Sequence, residues 1–245
     1  MPITTSATAT DILNRVAVEV GLVPVPDPFA TPDENFVQLY YLLNSVGEDL
    51  AITHDWNFLV REANIDTDLD PSGEYPLPDD FLYITNQTAW ERNNRVPVQL
   101  LSAQEWQYLE GRQFATDTIY AKFRLQQGKF TIYPQPVPSG LNIFYEYTSK
   151  NWVASGTVPG QFQDKITTGT DQPLYDKTLM IKALKVKWLE AKGFDSTKAQ
   201  DDLNSIFNLL IGHDKGAPTL NAGYGTRGYP YLDIYRNTPD TNFGA

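Results

Sequence analysis

Paired carboxylates are the first residues in this sequence that could do chemistry. Asp79 and Asp80 follow Pro78, and adjacent carboxylates can serve as a general acid and a general base. The same residues are also typical of a turn between the apolar Leu77 and Phe81, and this is the stronger interpretation. A hydrolase that uses Asp79 or Asp80 is therefore only a minor hypothesis.

A second acidic run consists of Asp66, Asp68 and Asp70, and it resembles the opening of a calcium-binding loop. Such a loop needs glycine at its sixth position and glutamate at its twelfth, where this sequence has Pro71 and Leu77. The run therefore predicts a solvated acidic turn between two strands.

The other chemistry-bearing residues also favour structural roles. His54 lies at the end of a predicted helix, where it interacts favourably with the helix dipole, and no spacing suggests a partner nucleophile. The glycines of residues 223–228 match G-x-G-x-x-G but lack the strand and helix that a phosphate site requires. The lysines of residues 173–192 do not share one helix face. We therefore interpret them as solvent-exposed side chains rather than as a contact with an acidic partner or nucleic acid. We predict no catalytic residue, no cofactor and no metal.

Composition excludes several classes of function. The 245 residues include no cysteine and two histidines, which excludes disulfides, thiolate catalysis and multi-histidine or cysteine metal sites. The net charge of −11 argues against a general nucleic-acid binder and against a binder of anionic membranes. The longest apolar runs are a few residues, and the N-terminus lacks the features of a secretory signal. We expect a soluble protein without a membrane partner.

Helical periodicity is present near the N-terminus. A capping box of Thr8 and Asp11 predicts a helix over residues 8–21. A second helix is predicted over residues 32–53, with Thr31 as its cap and Pro32 at its first position.

Helical periodicity returns near the C-terminus. One helix is predicted from Pro173 to Gly193, with a single apolar stripe, and another from residue 195 or 196 to Gly212. Because the connection between them is very short, we expect an antiparallel hairpin.

The intervening residues 58–150 contain short β-like runs separated by turn residues. Residues 119–125 and 129–133 flank Gln126-Gln127-Gly128 and predict a hairpin. One short helix is predicted from the capping box of Ser102 and Glu105 to Gly111.

This layout predicts an α+β fold, in which an antiparallel α-helical bundle carries an inserted β-rich, sandwich-like or barrel-like region. The predicted segments are 1–57 for the N-terminal helices, 58–150 for the inserted region, 151–172 for a connector loop, 173–212 for the C-terminal helical hairpin and 213–245 for an extended arm.

The arm, residues 213–245, combines several glycines with spaced tyrosines, and its positive and negative charges cancel. Tyrosine supplies a large contact area at low entropic cost, so the arm is predicted to order on a partner. Its candidate contact residues are Tyr224, Arg227, Tyr229, Tyr231, Tyr235 and Arg236.

An ordered series of short motifs over roughly residues 33–212 resembles the head-to-tail adaptor proteins of tailed bacteriophages. The motifs include Leu43-Asn44, Gly47, Asp49-Leu50, His54-Asp55-Trp56, residues 75–81, Trp90, Glu105-Trp106, Ile132-Tyr133-Pro134, residues 144–147, Trp152, Trp188 and Lys192-Gly193.

The resemblance implies a structural protein of the phage neck that is assembled in the host cytoplasm and has no enzymatic activity. It implies a ring, usually of twelve subunits, that docks beneath the portal, extends the DNA channel and offers a surface to tail or nozzle proteins. By the same analogy the arm would bind the portal. An acidic body suits such a channel, because a wall of like charge lets DNA slide without sticking.

The sequence leaves one alternative of a different class, a carbohydrate-binding or receptor-binding module of a tail fibre or spike. Trp90, Trp152 and the many tyrosines motivate it. It predicts a trimer, and glycan binding that is lost in Trp90→Ala.

Overall fold

A computed structural model describes residues 7–112 and 121–214 of the chain. The described residues form two compact units. Residues 7–59 and 149–214 form the first, which we call the helical unit, and residues 60–112 and 121–148 form the second, the β unit. The chain is therefore a mixed α+β protein, as predicted.

Five α-helices lie in the described residues, four in the helical unit and α3 in the β unit, and a short 3-10 helix, Asn57–Leu59, follows α2. They are α1 (Ala9–Glu19), α2 (Glu34–Thr53), α3 (Ala103–Arg112), α4 (Lys177–Ala191) and α5 (Thr197–Asp214).

The strands of the β unit form two sheets. They are β1 (Val60–Asp66), β2 (Glu74–Pro76), β3 (Phe81–Ile84), β4 (Trp90–Glu91), β5 (Val96–Pro97), β6 (Gln99–Leu100), β7 (Lys122–Gln126), β8 (Lys129–Tyr133) and β9 (Asn142–Ser149). One sheet has the order β1-β9-β4-β5, with β3 also paired to β9, and the other has the order β2-β8-β7-β6.

Aromatic rings from the two sheets meet in one hydrophobic core. Phe123 and Phe130 stack with ring centroids 4.2 Å apart, and Phe130 stacks on Tyr145 of the other sheet at 5.0 Å. The hairpin between β7 and β8 confirms the prediction. Gln127 and Gly128 both have positive φ, which the tight turn requires.

Three two-residue strands lie in the helical unit: β10 (Val153–Ala154), β11 (Phe162–Gln163) and β12 (Gln172–Pro173). They form a small sheet with β10 in the centre. Residues 151–172, which were predicted to be a connector loop, include β10, β11 and the first residue of β12.

Local capping signals located two helices correctly. Thr8 and Asp11 form the predicted capping box of α1, and Ser102 and Glu105 cap α3 in the same way. The prediction that α3 ends at Gly111 was wrong, because the helix includes this residue. Glycine ends a helix when it takes a left-handed conformation, and Gly111 does not have a positive φ.

The predicted starts of α2 and α4 were too early, because an aspartate nearer to each helix caps it. Asp33 rather than Thr31 caps α2, through a hydrogen bond from the Asn35 N–H at 2.9 Å. Asp176 caps α4, so the helix does not start at Pro173, which lies in β12. A carboxylate is a strong cap and also interacts favourably with the positive end of the helix dipole.

Helices α4 and α5 differ in burial. Helix α4 contacts α1, α2 and α5, and it buries residues on several sides rather than along the single predicted stripe: Leu179, Met180, Ile181, Ala183, Leu184, Val186 and Trp188. Helix α5 continues past Gly212 to Asp214, and none of its residues is fully buried. The apolar side chains that share one face of α5 are only partly buried: Ala199, Leu203, Ile206, Phe207 and Leu210. The antiparallel arrangement of the bundle stays a prediction.

Candidate functional site

The end of α5 is held by side chains that follow α2. Asp214 Oδ2 lies 3.2 Å from His54 Nε2 and accepts a hydrogen bond from the Asn57 N–H at 3.2 Å. The Asn57 side-chain amide donates to the Asp214 carbonyl at 2.5 Å. These contacts join positions 157 to 160 residues apart. We call this cluster of His54, Asn57 and Asp214 the latch, and the arm continues from it.

An aromatic cluster lies beside the latch. The Trp56 ring packs edge-on against His54 at 4.8 Å, Tyr175 at 5.8 Å and Phe207 of α5 at 6.1 Å. The Trp56 indole N–H donates to the Leu50 carbonyl at 2.8 Å, so its polar atom is satisfied although the ring is buried. The segment 54–57 therefore contacts α5 at two places, Phe207 and Asp214, which are two helical turns apart.

A close approach at Gly47 connects α2 to this cluster. Any side chain at position 47 would overlap the indole ring of the buried Trp152. The Tyr175 hydroxyl donates to the Gly47 carbonyl at 3.1 Å, and the Tyr175 ring contacts that of Trp152 at 5.8 Å. Gly47 therefore allows the buried aromatic rings to reach the backbone of α2.

Asp171 organises the segment between β10 and β12. Its buried carboxylate accepts hydrogen bonds from the backbone N–H groups of Gly156, Thr167 and Thr168, and from the side chain of Gln163. Burial alone would raise the pKa of Asp171, but these hydrogen bonds outweigh burial and lower the pKa to about 2. The carboxylate is thus ionised at neutral pH and serves as the centre of a loop.

The same segment is attached to α1 and α2. Asn44 accepts from the Ile166 N–H at 2.8 Å and donates to the Ile166 carbonyl at 3.3 Å, to which the Tyr40 hydroxyl also donates at 3.1 Å. The Ala9 N–H at the start of α1 donates to the Asp171 carbonyl at 2.8 Å. The segment therefore satisfies a backbone donor that the helix start leaves free.

Three lysines of α4, and Lys192 directly after it, make contacts inside the helical unit. Lys182, Lys185 and Lys187 form ion pairs with Asp202, Glu19 and Asp49 at 3.8, 3.2 and 2.8 Å. Lys192 lies 4.5 Å from the ring centroid of Trp188 and contacts Asn35. These contacts connect α4 to its neighbouring helices and leave little support for a nucleic-acid contact along α4.

The acidic candidates have structural partners in the β unit. Tyr147 donates its hydroxyl proton to Asp80 at 2.8 Å, and Arg61 lies 3.7 Å from the same carboxylate, whereas Asp79 is exposed. Burial, with the bond to Asp80, raises the pKa of Tyr147 far above its usual value.

In the acidic run of residues 66–70, which was predicted to be a turn, Asp66 accepts a hydrogen bond from the Asp68 N–H at 3.0 Å, and Asp68 accepts one from the Gly140 N–H at 2.7 Å. These carboxylates therefore accept hydrogen bonds from backbone N–H groups of turns. The described residues contain no group of three or more His, Cys, Asp or Glu that could hold a metal ion.

The two tryptophans of the carbohydrate hypothesis lie in different environments. Trp152 is 1% exposed and packs against Gly47, so it cannot offer a face to a sugar. Trp90 is partly exposed beside Phe144, its cross-strand neighbour, over which the guanidinium of Arg92 packs at 3.5 Å. These three side chains line an open hollow on the outer face of the sheet together with Glu62, Gln87, Thr88 and Glu146.

The predicted arm residues lie outside the described part of the chain. They are Tyr224, Arg227, Tyr229, Tyr231, Tyr235 and Arg236, and the glycine motif of residues 223–228 lies there too. The structure does describe the latch, which sequence reasoning missed. A histidine and an asparagine three residues apart after a helix give no signal of a partner 157 residues away.

Comparison with known proteins identifies the family to which the chain belongs. A family match over residues 7–201 assigns the chain to the class of structural adaptors of tailed bacteriophages, which are components of the virion. The chain belongs to the SU10 adaptor protein family. A search of curated proteins gave no match. Among the described residues, no helix is long and apolar enough to cross a membrane.

Proposed function

We propose that the protein is the subunit of a closed ring, with twelve copies matching a twelvefold portal, that docks beneath the portal and extends the DNA channel. Tail or nozzle proteins attach to its lower surface. Membership of the adaptor family supports contacts with phage portal and tail proteins. The protein does no chemistry in this role, and its function is to join two assemblies.

One observation carries the ring proposal: an exposed apolar strip along α2. Val37, Tyr41 and Ile52 are 44%, 67% and 65% exposed. At 100° per residue they fall within about 60° of one another on the helix. Single exposed apolar residues are normal, but an aligned strip on one helix is typical of a protein interface. A ring needs such a heterologous contact between neighbouring subunits.

The predicted arm ran from residue 213, but residues 213 and 214 belong to α5. The arm that follows α5, residues 215–245, is the proposed portal-binding element. Six residues would carry the contact: Tyr224, Arg227, Tyr229, Tyr231, Tyr235 and Arg236. Tyrosine and arginine are the residue types that most often anchor interfaces. The latch supports this assignment, because it fixes the position at which the arm begins.

The acidic composition supports passage of DNA without specific binding. The whole chain carries a net charge of −11. A channel wall with the charge of the phosphate backbone releases no counterions from DNA, so it offers no electrostatic gain for binding.

The ring proposal is tested by the mass of the protein alone and after mixing with the cognate portal. The mass of one subunit is 27.6 kDa. Whether the free protein is a single subunit or a ring, we expect the mass of the complex to correspond to about twelve subunits per portal. Tyr41→Glu should abolish ring formation, whereas Leu69→Glu, at an 85% exposed position outside the strip, should leave it unchanged. Equal assembly of both variants would reject the strip as the subunit interface.

The arm is tested by deletion of residues 215–245, which leaves α5 and the latch intact. The shortened protein should fold but no longer attach to the portal. In the full chain, the double substitution Tyr229→Ala with Tyr231→Ala should weaken attachment, because central aromatic anchors each contribute about 2 kcal/mol or more. Unchanged attachment after the deletion would reject the arm as the binding element.

A second candidate function rests on the hollow beside Trp90. Aromatic faces flanked by carboxylate, amide and hydroxyl groups are suited to binding a sugar, and Trp90, Phe144 and Glu62 line this hollow. This function predicts a trimer whose glycan binding is lost in Trp90→Ala and kept in Trp106→Ala. A glycan array with no binding by the unaltered protein would eliminate it.

A further inference from the structure

We propose that His54 and Asn57 are positioning residues that fix the root of the arm and so prepare it for its partner. This inference rests on the proposed function, because it assumes that the arm attaches to the portal. It goes further, because it assigns a role to the residues after α2, and the residue that they hold, Asp214, lies beyond the family match over residues 7–201.

The first argument is the chemistry of the latch. Three hydrogen-bonding contacts converge on one residue, from the His54 ring, the Asn57 backbone and the Asn57 side chain. Both the carboxylate and the carbonyl of Asp214 take part, so its side chain and its backbone are oriented together. The side chains of His54 and Asp214 are only 6% and 14% exposed, which shields their contact from water.

The second argument is that α5 has few restraints besides α4, the contact of Phe207 with Trp56 and the latch. Helix α5 makes its main contacts with α4, and none of its residues is fully buried. A helix held on one side tends to fray from its free end, and its last carbonyls lack partners within the helix. The Asn57 amide donates to one of these carbonyls, that of Asp214. The latch therefore stabilises the end of α5 that the arm continues.

The third argument concerns the cost of binding. An arm that follows directly after a fixed residue, Asp214, starts from one position relative to the helical unit. Preorganisation of this kind raises affinity because less conformational freedom is lost on binding. Loss of the latch should therefore weaken attachment to the portal without removing any residue that touches it.

The experiment measures binding of the full chain to the isolated portal, together with hydrogen exchange of the α5 amides. Asn57→Ala and Asp214→Ala should speed exchange at residues 208–214 and weaken attachment about tenfold. Asn57 is exposed, so its loss should not unfold the protein. The matched controls are Asn208→Ala and Asp201→Ala, at exposed positions of α5 outside the latch, and neither should change attachment.

A spacer separates positioning from simple stabilisation. Four Gly and Ser residues inserted after Asp214 leave the latch in place but uncouple the arm from it. The insertion should weaken attachment as much as Asp214→Ala does, with normal exchange in α5. The insertion combined with Asp214→Ala should weaken it no further, because both changes remove the same restraint.

The outcomes are distinguishable. If deletion of residues 215–245 leaves attachment unchanged, the arm assignment fails and the positioning role fails with it. If the deletion abolishes attachment while Asp214→Ala and the spacer have no effect, the arm assignment stands and the positioning role alone is rejected. Faster exchange in Asp214→Ala with unchanged attachment likewise rejects it, because the latch then only stabilises α5.

Discussion

Helices α4 and α5 follow one another in the chain and pack together, yet they are buried to very different extents. Helix α4 buries seven residues and contacts three other helices, so it forms the centre of the helical unit. Helix α5 also has an apolar face, but none of its residues is fully buried. The comparison shows that an apolar pattern indicates how many contacts a helix could make, not how many it makes within one chain. The apolar side chains of α4 are buried in the single chain, and those of α5 are buried only in part.

The largest expected effect separates the interiors of the two helices. Leu184→Ala in α4 should lower the free energy of unfolding by about 4 kcal/mol, because it removes a fully buried side chain and leaves a cavity. Leu209→Ala in α5, at a position 54% exposed, should cost less than about 0.5 kcal/mol. Urea unfolding followed by tryptophan fluorescence measures both. A large loss in Leu209→Ala would show that α5 is covered in solution, for example by another subunit.

A pair of glycines should respond with opposite signs. Gly47→Ala places a methyl group against the Trp152 indole and should destabilise the protein by about 3 kcal/mol. Gly212→Ala in α5 meets no atom of the described residues within 4 Å and should stabilise the protein by about 0.5 kcal/mol, since alanine is the better helix former. The thermal midpoints of the two variants should therefore shift in opposite directions. A shift in the same direction would contradict the close approach at Gly47.

A pair of carboxylates gives the smallest expected effect. Asp171→Asn should cost about 2 kcal/mol at pH 7, because an amide cannot accept all the hydrogen bonds that the carboxylate accepts. Asp201→Asn, on the exposed side of α5, should have almost no effect.

The pH dependence sharpens this test. The pKa of Asp171 is lowered from 3.8 to about 2 in the folded protein, so its contribution is complete above about pH 4. The contribution is lost as the pH falls from about 4 to about 2, when the folded carboxylate takes up its proton. Stability measured over this range should fall less steeply in Asp171→Asn than in the unaltered protein. Parallel curves would show that the hydrogen bonds do not favour the ionised form.

The sequence was sufficient for features that depend on neighbouring residues. The capping boxes of Thr8 and Ser102 were predicted because all their atoms lie within one helical turn. The hairpin at Gln127-Gly128 was also predicted, because its turn is formed by neighbouring residues. Competition between nearby caps was harder to judge, and Asp33 and Asp176 replaced the predicted starts at residues 31–32 and 173.

Features that join distant parts of the chain were not predictable. Asn44 binds Ile166 across 122 residues, and His54 binds Asp214 across 160. Neither pair has a local signature, because the polar side chains involved are common on surfaces. For the same reason residues 151–172 looked like a connector, although the buried Asp171 gives them a defined structure. The candidate arm residues stay a prediction.

The pairing of β1 with β9 has a consequence for how such proteins change. Val60 lies opposite Thr148, so the chain enters and leaves the β unit at neighbouring positions of one antiparallel ladder. Partners in such a ladder have Cα atoms about 5 Å apart. A domain of any sequence whose two ends lie this close can replace residues 60–148 without lengthening the remaining backbone. Recombination at two points in the gene therefore suffices to exchange the β unit. The same two points are the natural sites for grafting a foreign domain.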